Sequence, residues 1–165
     1  MERLVTIVGP TAVGKSRLAL RLALDLGGEI ISADSRQVYR YMDIGTAKPT
    51  KVERSLVPHH LIDIINPDED FSLAQYRELA YQAIIDIHHR DKLPLLVGGS
   101  GLYIRALLEG WLIPRIQPAP EFRRRLEEQA TSGGAEELYQ ELLKLDPVAA
   151  HKIDRRNVRR IIRAI

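Results

Sequence analysis

The stretch Gly9-Pro10-Thr11-Ala12-Val13-Gly14-Lys15-Ser16 constrains this chain more than any other, because it satisfies the phosphate-binding pattern G-x-x-x-x-G-K-[ST] at each fixed position. Ahead of it Leu4-Val5-Thr6-Ile7-Val8 is a short, β-branched run, and behind it Arg17 to Leu24 is rich in helix formers. Strand, loop and helix in that order predict an α/β fold, a parallel sheet flanked by helices with the loop at the carboxyl edge of its strand. Gly9 and Gly14 let the backbone bend so that successive N–H groups converge, and the helix start adds partial positive charge. An anion with several oxygens fits such a cradle. Lys15 would bring a full charge to its terminal phosphate, and the Ser16 hydroxyl is placed to complete the coordination of Mg²⁺. A glycine turn that merely opens a structural helix is the alternative, and the agreement of motif and context speaks against it.

Further along, Gly27-Gly28 stops the first helix and Glu29 to Ala33 reads as a second strand ending at Asp34. In a parallel sheet the carboxyl ends of the strands share an edge, so Asp34 would face the bound phosphates or what they carry; capping the next turn is the bland alternative. The polar run Asp34-Ser35-Arg36-Gln37-Val38-Tyr39 suits a loop or short helix lining a pocket. Between Tyr41 and Asn66 the pattern is irregular around Leu61 to Ile65, with Gly45, Pro49 and Pro58 as breakers, a length of loop that usually carries function. Asp63 is a second candidate for the magnesium-side carboxylate. His59-His60 suggests a metal pair, but neighbours on an extended chain point opposite ways and rarely share one ion. Ser72 is placed to cap a helix from Leu73 to Arg90. Leu93 to Val97 is a buried strand, and Gly98-Gly99-Ser100-Gly101 followed by a helix from Leu102 to Leu108 repeats the first strand-loop-helix unit. That second loop would hold a substrate group through its backbone and Ser100 Oγ, or serve only as a tight turn.

From Gly110 the character changes. Pro114, Pro118 and Pro120 form a stiff break, and two polar helices are expected, Glu121 to Ala130 and Ala135 to Leu145. The segment from His151 to Ile165 holds six basic residues and one acid, so it carries +5 while the other 150 residues carry −3 of a net +2. A regional excess of this kind points to a polyanionic partner. Its helical pattern places Val158, Ile161, Ile162 and Ile165 on one face and Arg156, Arg159, Arg160 and Arg163 on another. The organisation expected is therefore a catalytic core over 1–110, a helical insertion over 111–150 and the start of a basic helix returning to the core over 151–165, with a pattern that runs on past Ile165. A chain without cysteine, without an apolar run of spanning length and without a secretory N-terminus is expected to be cytoplasmic.

Four stretches together resemble one family, the tRNA dimethylallyltransferases: residues 9–16; Ile31-Ser32-Ala33-Asp34-Ser35-Arg36-Gln37-Val38-Tyr39 with Asp43-Ile44-Gly45-Thr46-Ala47-Lys48-Pro49; Pro58-His59-His60-Leu61-Ile62-Asp63; and Val97-Gly98-Gly99-Ser100-Gly101-Leu102-Tyr103. Leu145-Asp146-Pro147 and Asn157 to Ala164 continue the match. The resemblance implies a P-loop NTPase-like sheet with a helical insertion that embraces the anticodon stem. It implies transfer of a dimethylallyl group from dimethylallyl diphosphate to the N6 amine of the adenosine 3′ of the anticodon in tRNA, with Mg²⁺ and with no membrane partner, by a monomer. By the same match the loop from Gly9 to Ser16 holds the diphosphate, Lys15 and Thr11 touch it, and Asp34 is the general base. Ser35, Arg36 and Gln37 surround the adenine, and Ser100, where the family commonly has threonine, approaches the tRNA. Arg123, Arg159, Arg160, Ile161, Ile162 and Arg163 match tRNA-contacting positions. Family members are nearly twice as long, so a fragment that binds tRNA without turnover is one competing reading. A P-loop kinase of small molecules and a transferase acting on free adenine nucleotides are others.

Overall fold

The β-branched run ahead of the glycine loop forms β1 (Val5–Val8), which pairs with β4 (Leu93–Gly98) rather than with its neighbour in sequence. The computed structural model describes residues 3–113 and 119–165, and the chain divides into two compact units, Met1–Arg115 and Ile116–Ile165. In the first unit β1, β4, β2 (Gly28–Ala33) and β3 (His59–His60) form one parallel sheet in the order β1-β4-β2-β3. The sheet flanked by helices is the expected α/β fold.

Alternation along the central strands decides which helix goes where. On one face Ile30, Leu95 and Val97 meet Ala19 and Ala23 of α1 (Lys15–Leu26), two small residues one turn apart that let the helix lie close to the sheet. On the other, Ile31, Ala33 and Leu96 meet Tyr76, Ala80, Ile84 and Ile87 of α3 (Leu73–His89) and Ile104 and Leu107 of α4 (Gly101–Leu108). Tyr76 stacks on Tyr103 with ring centroids 3.9 Å apart, and its hydroxyl donates to the carbonyl of Ser32. The irregular stretch after β2 contains a short α2 (Lys51–Leu56), started by a reciprocal cap in which Glu53 N–H donates to Thr50 Oγ1 and Thr50 N–H to Glu53 Oε2. At the opposite edge of the sheet the buried Glu29 carboxylate takes two hydrogen bonds from Arg90 and lies 2.7 Å from His60 Nε2, tying β2 to the end of α3 and to β3. Past α4, the Trp111 indole N–H donates to Glu109 and Arg105 lies over its ring at 5.4 Å.

The second unit is helical. Helices α5 (Pro120–Gln129), α6 (Ala135–Leu145), α7 (Pro147–Lys152) and α8 (Val158–Ala164) enclose Leu126, Leu138, Leu142, Ala150, Ile161 and Ile162. Between α5 and α6 a π-type turn, Ala130–Gly134, breaks at Gly133, whose φ of 95° favours glycine. The boundary expected at 150 is not where the packing divides: Ile161 and Ile162 of α8 fill the same small core as α6, so 151–165 belongs with the helices before it. Pro120 begins α5, where a missing N–H costs nothing, while Pro114 and Pro118 lie outside the described residues.

Register places Val8, Gly98 and Ala33 side by side at the ends of three adjacent strands. A side chain at Gly98 would collide with the carbonyl of Ala33 and come within 2.8 Å of its Cα. Gly98→Ala is therefore expected to lower stability by at least about 2 kcal/mol, since a rigid strand backbone cannot yield as a side chain does. Urea melts of the two proteins test this, and an unchanged midpoint would contradict the close approach.

Candidate functional site

Because three strands end level, three loops leave the sheet together: 9–14 after β1, 34–37 after β2 and 99–100 after β4. Ser100 N–H donates to Ala33 O, and Ser35 N–H donates to Ser100 Oγ at 3.0 Å, which stitches the second loop to the third. The hydroxyl of Ser100 thus has a positioning task in this structure. Asp34 Oδ1 accepts from Arg36 N–H at 2.8 Å, so the turn-capping alternative is also realised. Its Oδ2 has no protein partner among the described residues, and Asp34 is half-buried at the wall of a cavity of about 370 Å³.

The same cavity is lined by Thr11, Ala12, Gly14, Lys15 and Ser16 of the glycine loop. Gly9, Pro10 and Val13 complete the loop without lining it. The loop turns through Ala12 (φ 68°) and Gly14 (φ 87°), and α1 starts with no side-chain cap, leaving its first N–H groups and its positive dipole end for a ligand. Lys15 Nζ donates back to Pro10 O at 2.6 Å, a bond that an incoming anion can replace. Ser16 is exposed in the first turn of α1. Among the described residues no three His, Cys, Asp or Glu side chains cluster to hold a metal. The exposed Ser16 hydroxyl is an oxygen donor of the kind that a Mg²⁺ carried in on phosphate oxygens would accept.

The far wall comes from the stretch that looked irregular in sequence: Thr46, Ala47, Pro49, Glu53, His59 and Ile62. What holds it is Lys48, whose side chain is only 4% exposed and donates to Tyr39 O, Asp43 Oδ1 and Asp63 Oδ1. Arg54 takes the other oxygen of Asp63 at 2.6 Å. Asp63 is thereby committed to two cations and does not serve as the magnesium-side carboxylate. The histidines also have other partners: His59 Nδ1 lies 2.7 Å from Val57 O, and His60 serves Glu29. Burial pushes His59 below its ordinary value of 6.5, against the opposing pull of its bond to Val57.

Ser35 and Arg36 are exposed beside Asp34, and Gln37 is half-buried in the cavity wall. In the second unit Arg123, Arg159, Arg160 and Arg163 are exposed. Ile161 and Ile162 depart from expectation, for they are 0% and 8% exposed in the helical core and their side chains cannot meet a nucleic acid. Sequence reasoning overlooked Thr46, Ala47, Glu53 and Ser32 as cavity walls; the T-x-x-E spelling at 50–53 was the signal for α2. No described helix is long and apolar enough to cross a membrane.

A glycine loop at the carboxyl edge of a parallel sheet, with an acidic turn on the next strand lining the same cavity, defines a P-loop α/β protein. Comparison with known families narrows this. A family model described as IPP transferase matches residues 37–165, and one described as isopentenyl transferase matches residues 2–66. The chain is 62% identical over its whole length to the tRNA dimethylallyltransferase of Roseiflexus castenholzii, covering 54% of that protein, and 57% identical to that of Herpetosiphon aurantiacus over 98% of the chain, covering 51%. Among solved structures it is similar to the tRNA isopentenylpyrophosphate transferase of Bacillus halodurans (51% identity, TM-score 0.67, 99% of this chain and 54% of that one). It also resembles a eukaryotic dimethylallyltransferase described as acting on tRNA (32% identity, TM-score 0.84, 99% and 40%). The chain belongs to the IPP transferase family, and it spans about half the length of the curated relatives it matches.

Asp63 carries a pH prediction. Burial raises its carboxyl, but the bonds from Lys48 and Arg54 outweigh this and hold it below the ordinary 3.8. A lowered folded value means the contribution is full above about pH 4 and is lost as pH falls through the folded value. Asp63→Asn should lower stability at pH 7 by about 1–3 kcal/mol, since it removes one of the two carboxylate charges that face the buried Lys48 and the one that faces Arg54, and should flatten the acid limb. Urea melts at pH 7 and pH 3 measure both, and equal acid sensitivity in the two proteins would refute the assignment.

Proposed function

We propose that this chain carries the prenyl-transfer centre of a tRNA dimethylallyltransferase, with the cavity holding dimethylallyl diphosphate at the glycine loop and the target adenine at Asp34. The observation that carries the reading is that Asp34, with one carboxylate oxygen unpartnered, lines the same cavity as Thr11, Lys15 and Ser16. A carboxylate beside a phosphate cradle can serve substitution at carbon, and membership of the IPP transferase family favours that over phosphoryl transfer: the adenosine N6 forms a bond to the first carbon of the prenyl group. The bond from that carbon to the diphosphate oxygen breaks, its electron pair leaves with the diphosphate, and an N6 proton passes to Asp34. Lys15, Thr11 and the loop N–H groups stabilise the charge growing on the leaving group, the kind of fixed electrostatics that often dominates catalysis. Mg²⁺ held by the diphosphate and Ser16 Oγ would add charge neutralisation there. The exposed Arg123, Arg159, Arg160 and Arg163 supply contacts to tRNA phosphates, which makes binding salt-sensitive. Cytoplasmic location and a monomeric state go with this reading.

Transfer of labelled dimethylallyl from its diphosphate to an anticodon stem-loop bearing adenosine, with Mg²⁺, tests it, the Roseiflexus castenholzii relative serving as control. Transfer by this chain supports the reading. Transfer by the control alone, with stem-loop binding by this chain retained, would leave these residues as a tRNA-binding portion, and consumption of ATP with a small acceptor would replace the reading by a kinase. In an active chain, Asp34→Asn is expected to cut turnover by at least about a hundredfold with stem-loop binding retained. Unchanged turnover would remove Asp34 from the mechanism.

A further inference from the structure

The loop from Tyr41 to Ala47 is firmly braced, yet it keeps its large apolar side chains in water. Tyr41 (φ 63°), Gly45 (φ 79°) and Ala47 (φ 49°) are all left-handed, a region that tyrosine and alanine seldom enter and that persists only where surrounding bonds impose it. Those bonds are present. Thr46 Oγ1 donates to Met42 O at 2.6 Å and closes the loop, while Arg40 N–H donates to Ile65 O at 2.8 Å just ahead of it. The amine of Lys48 holds Tyr39 O and Asp43 Oδ1, and the amide of Gln37 holds Thr46 O and Ala47 O. None of this bracing uses a large apolar side chain. Ile44, the middle residue, is 99% exposed, and Tyr41 is 83% exposed, without a hydrogen bond or ring contact among the described residues. Ordering a segment in a strained conformation to leave an aromatic ring and an isoleucine in water gains nothing by burial, so the gain lies in what covers them.

Two observations say what that is. Thr46 and Ala47 line the cavity, so the loop is part of its rim, and whatever enters the cavity draws its covalent neighbours past this rim. The charge around the loop is of one sign: Arg36, Arg40 and Lys51 are exposed, while the acid between them, Asp43, is paired with Lys48. A polyanion whose attached groups are flat and apolar on their faces meets both conditions, and unpaired bases commonly pack on exposed side chains of this kind.

We propose that Tyr41 and Ile44 form a stacking platform at the mouth of the cavity for the RNA base that adjoins the one entering it. The proposal rests on the reading above, in which a tRNA base enters beside Asp34. A base drawn out of a stacked loop leaves each of its neighbours with one uncovered face, and covering such a face at the rim offsets part of the cost of extrusion. Stacking of this kind is indifferent to which base is present, because every base offers a π face.

Substitutions that leave the fold intact test it. Tyr41→Gly suits a φ of 63° and should keep the urea midpoint of the parent or raise it, and Ile44→Ser, at a position almost wholly in water, should leave it unchanged. Affinity for an anticodon stem-loop bearing adenosine should nevertheless fall by about tenfold in Tyr41→Gly and about threefold in Ile44→Ser, with affinity for dimethylallyl diphosphate unchanged. Tyr41→Phe should retain the parental affinity. Stem-loops made abasic on the 5′ or the 3′ side of the target locate the contact: one of them should bind the parent about tenfold more weakly than the intact stem-loop, and Tyr41→Gly should bind that one no worse than it binds the intact stem-loop. Independent, multiplying losses at both abasic positions, or parental affinity in Tyr41→Gly and Ile44→Ser, overturn the proposal. So does a lowered urea midpoint in Tyr41→Gly joined to full stem-loop affinity in Ile44→Ser, which would make the ring a structural element. A parent that binds no stem-loop while still binding the diphosphate instead overturns the tRNA reading beneath it.

Discussion

The contact on which the site depends is the approach of β4 to β2 at Gly98. With a hydrogen in place of a side chain, the β4 backbone reaches Ala33 at the last paired position, and the loops that follow begin level with one another. Only then can Ser100 bond to both Ala33 O and Ser35 N, and only then do Asp34 and the glycine loop line a shared space. The hydrophobic core fixes the sheet in bulk, but its non-directional attraction would tolerate small shifts in how the loops emerge. The directional bonds at the strand ends do not. Sheet packing thus supplies most of the stability, while a handful of hydrogen bonds supplies the geometry.

The opposite wall is organised on another principle. The segment between Tyr41 and Pro58 has too few apolar residues to hold itself by burial, and Ile44 lies 99% exposed. Its anchor is the buried amine of Lys48 between two carboxylates, reinforced by the amide of Gln37. Exposed pairs such as Arg21 with Asp25 contribute little by comparison, because water screens them and their side chains lose entropy on pairing. An enclosed ammonium with three oxygen partners is different in kind: removing one partner leaves a charge without water.

Sequence alone carried the strand, loop and helix around the P-loop, the second strand ending at Asp34, and the glycine-rich return after β4, since each has a local signature of glycine placement and β-branched runs. The order β1-β4-β2-β3 had no such signature, for the pairing of β1 with β4 joins residues some 90 positions apart. Asp63 was misplaced as a candidate for the metal side because its partners Lys48 and Arg54 lie in a stretch with no periodicity to read. Likewise α8 could be seen to have an apolar face, but what covers Ile161 and Ile162 was invisible until α5 and α6 were placed. Function written as local spelling was legible; function that depends on which distant segments meet was not.

The single tryptophan gives the two units different optical characters. Trp111 sits on the first unit, its indole N–H fixed to Glu109 and its ring beneath Arg105, whereas the second unit holds only Tyr139 and Phe122, whose rings absorb at higher energy than indole. Light absorbed at the red edge of the indole band therefore reports on the end of α4 alone. A melt followed by tryptophan emission and one followed by helical circular dichroism need not coincide, and the gap between them would measure how far the two small cores unfold independently.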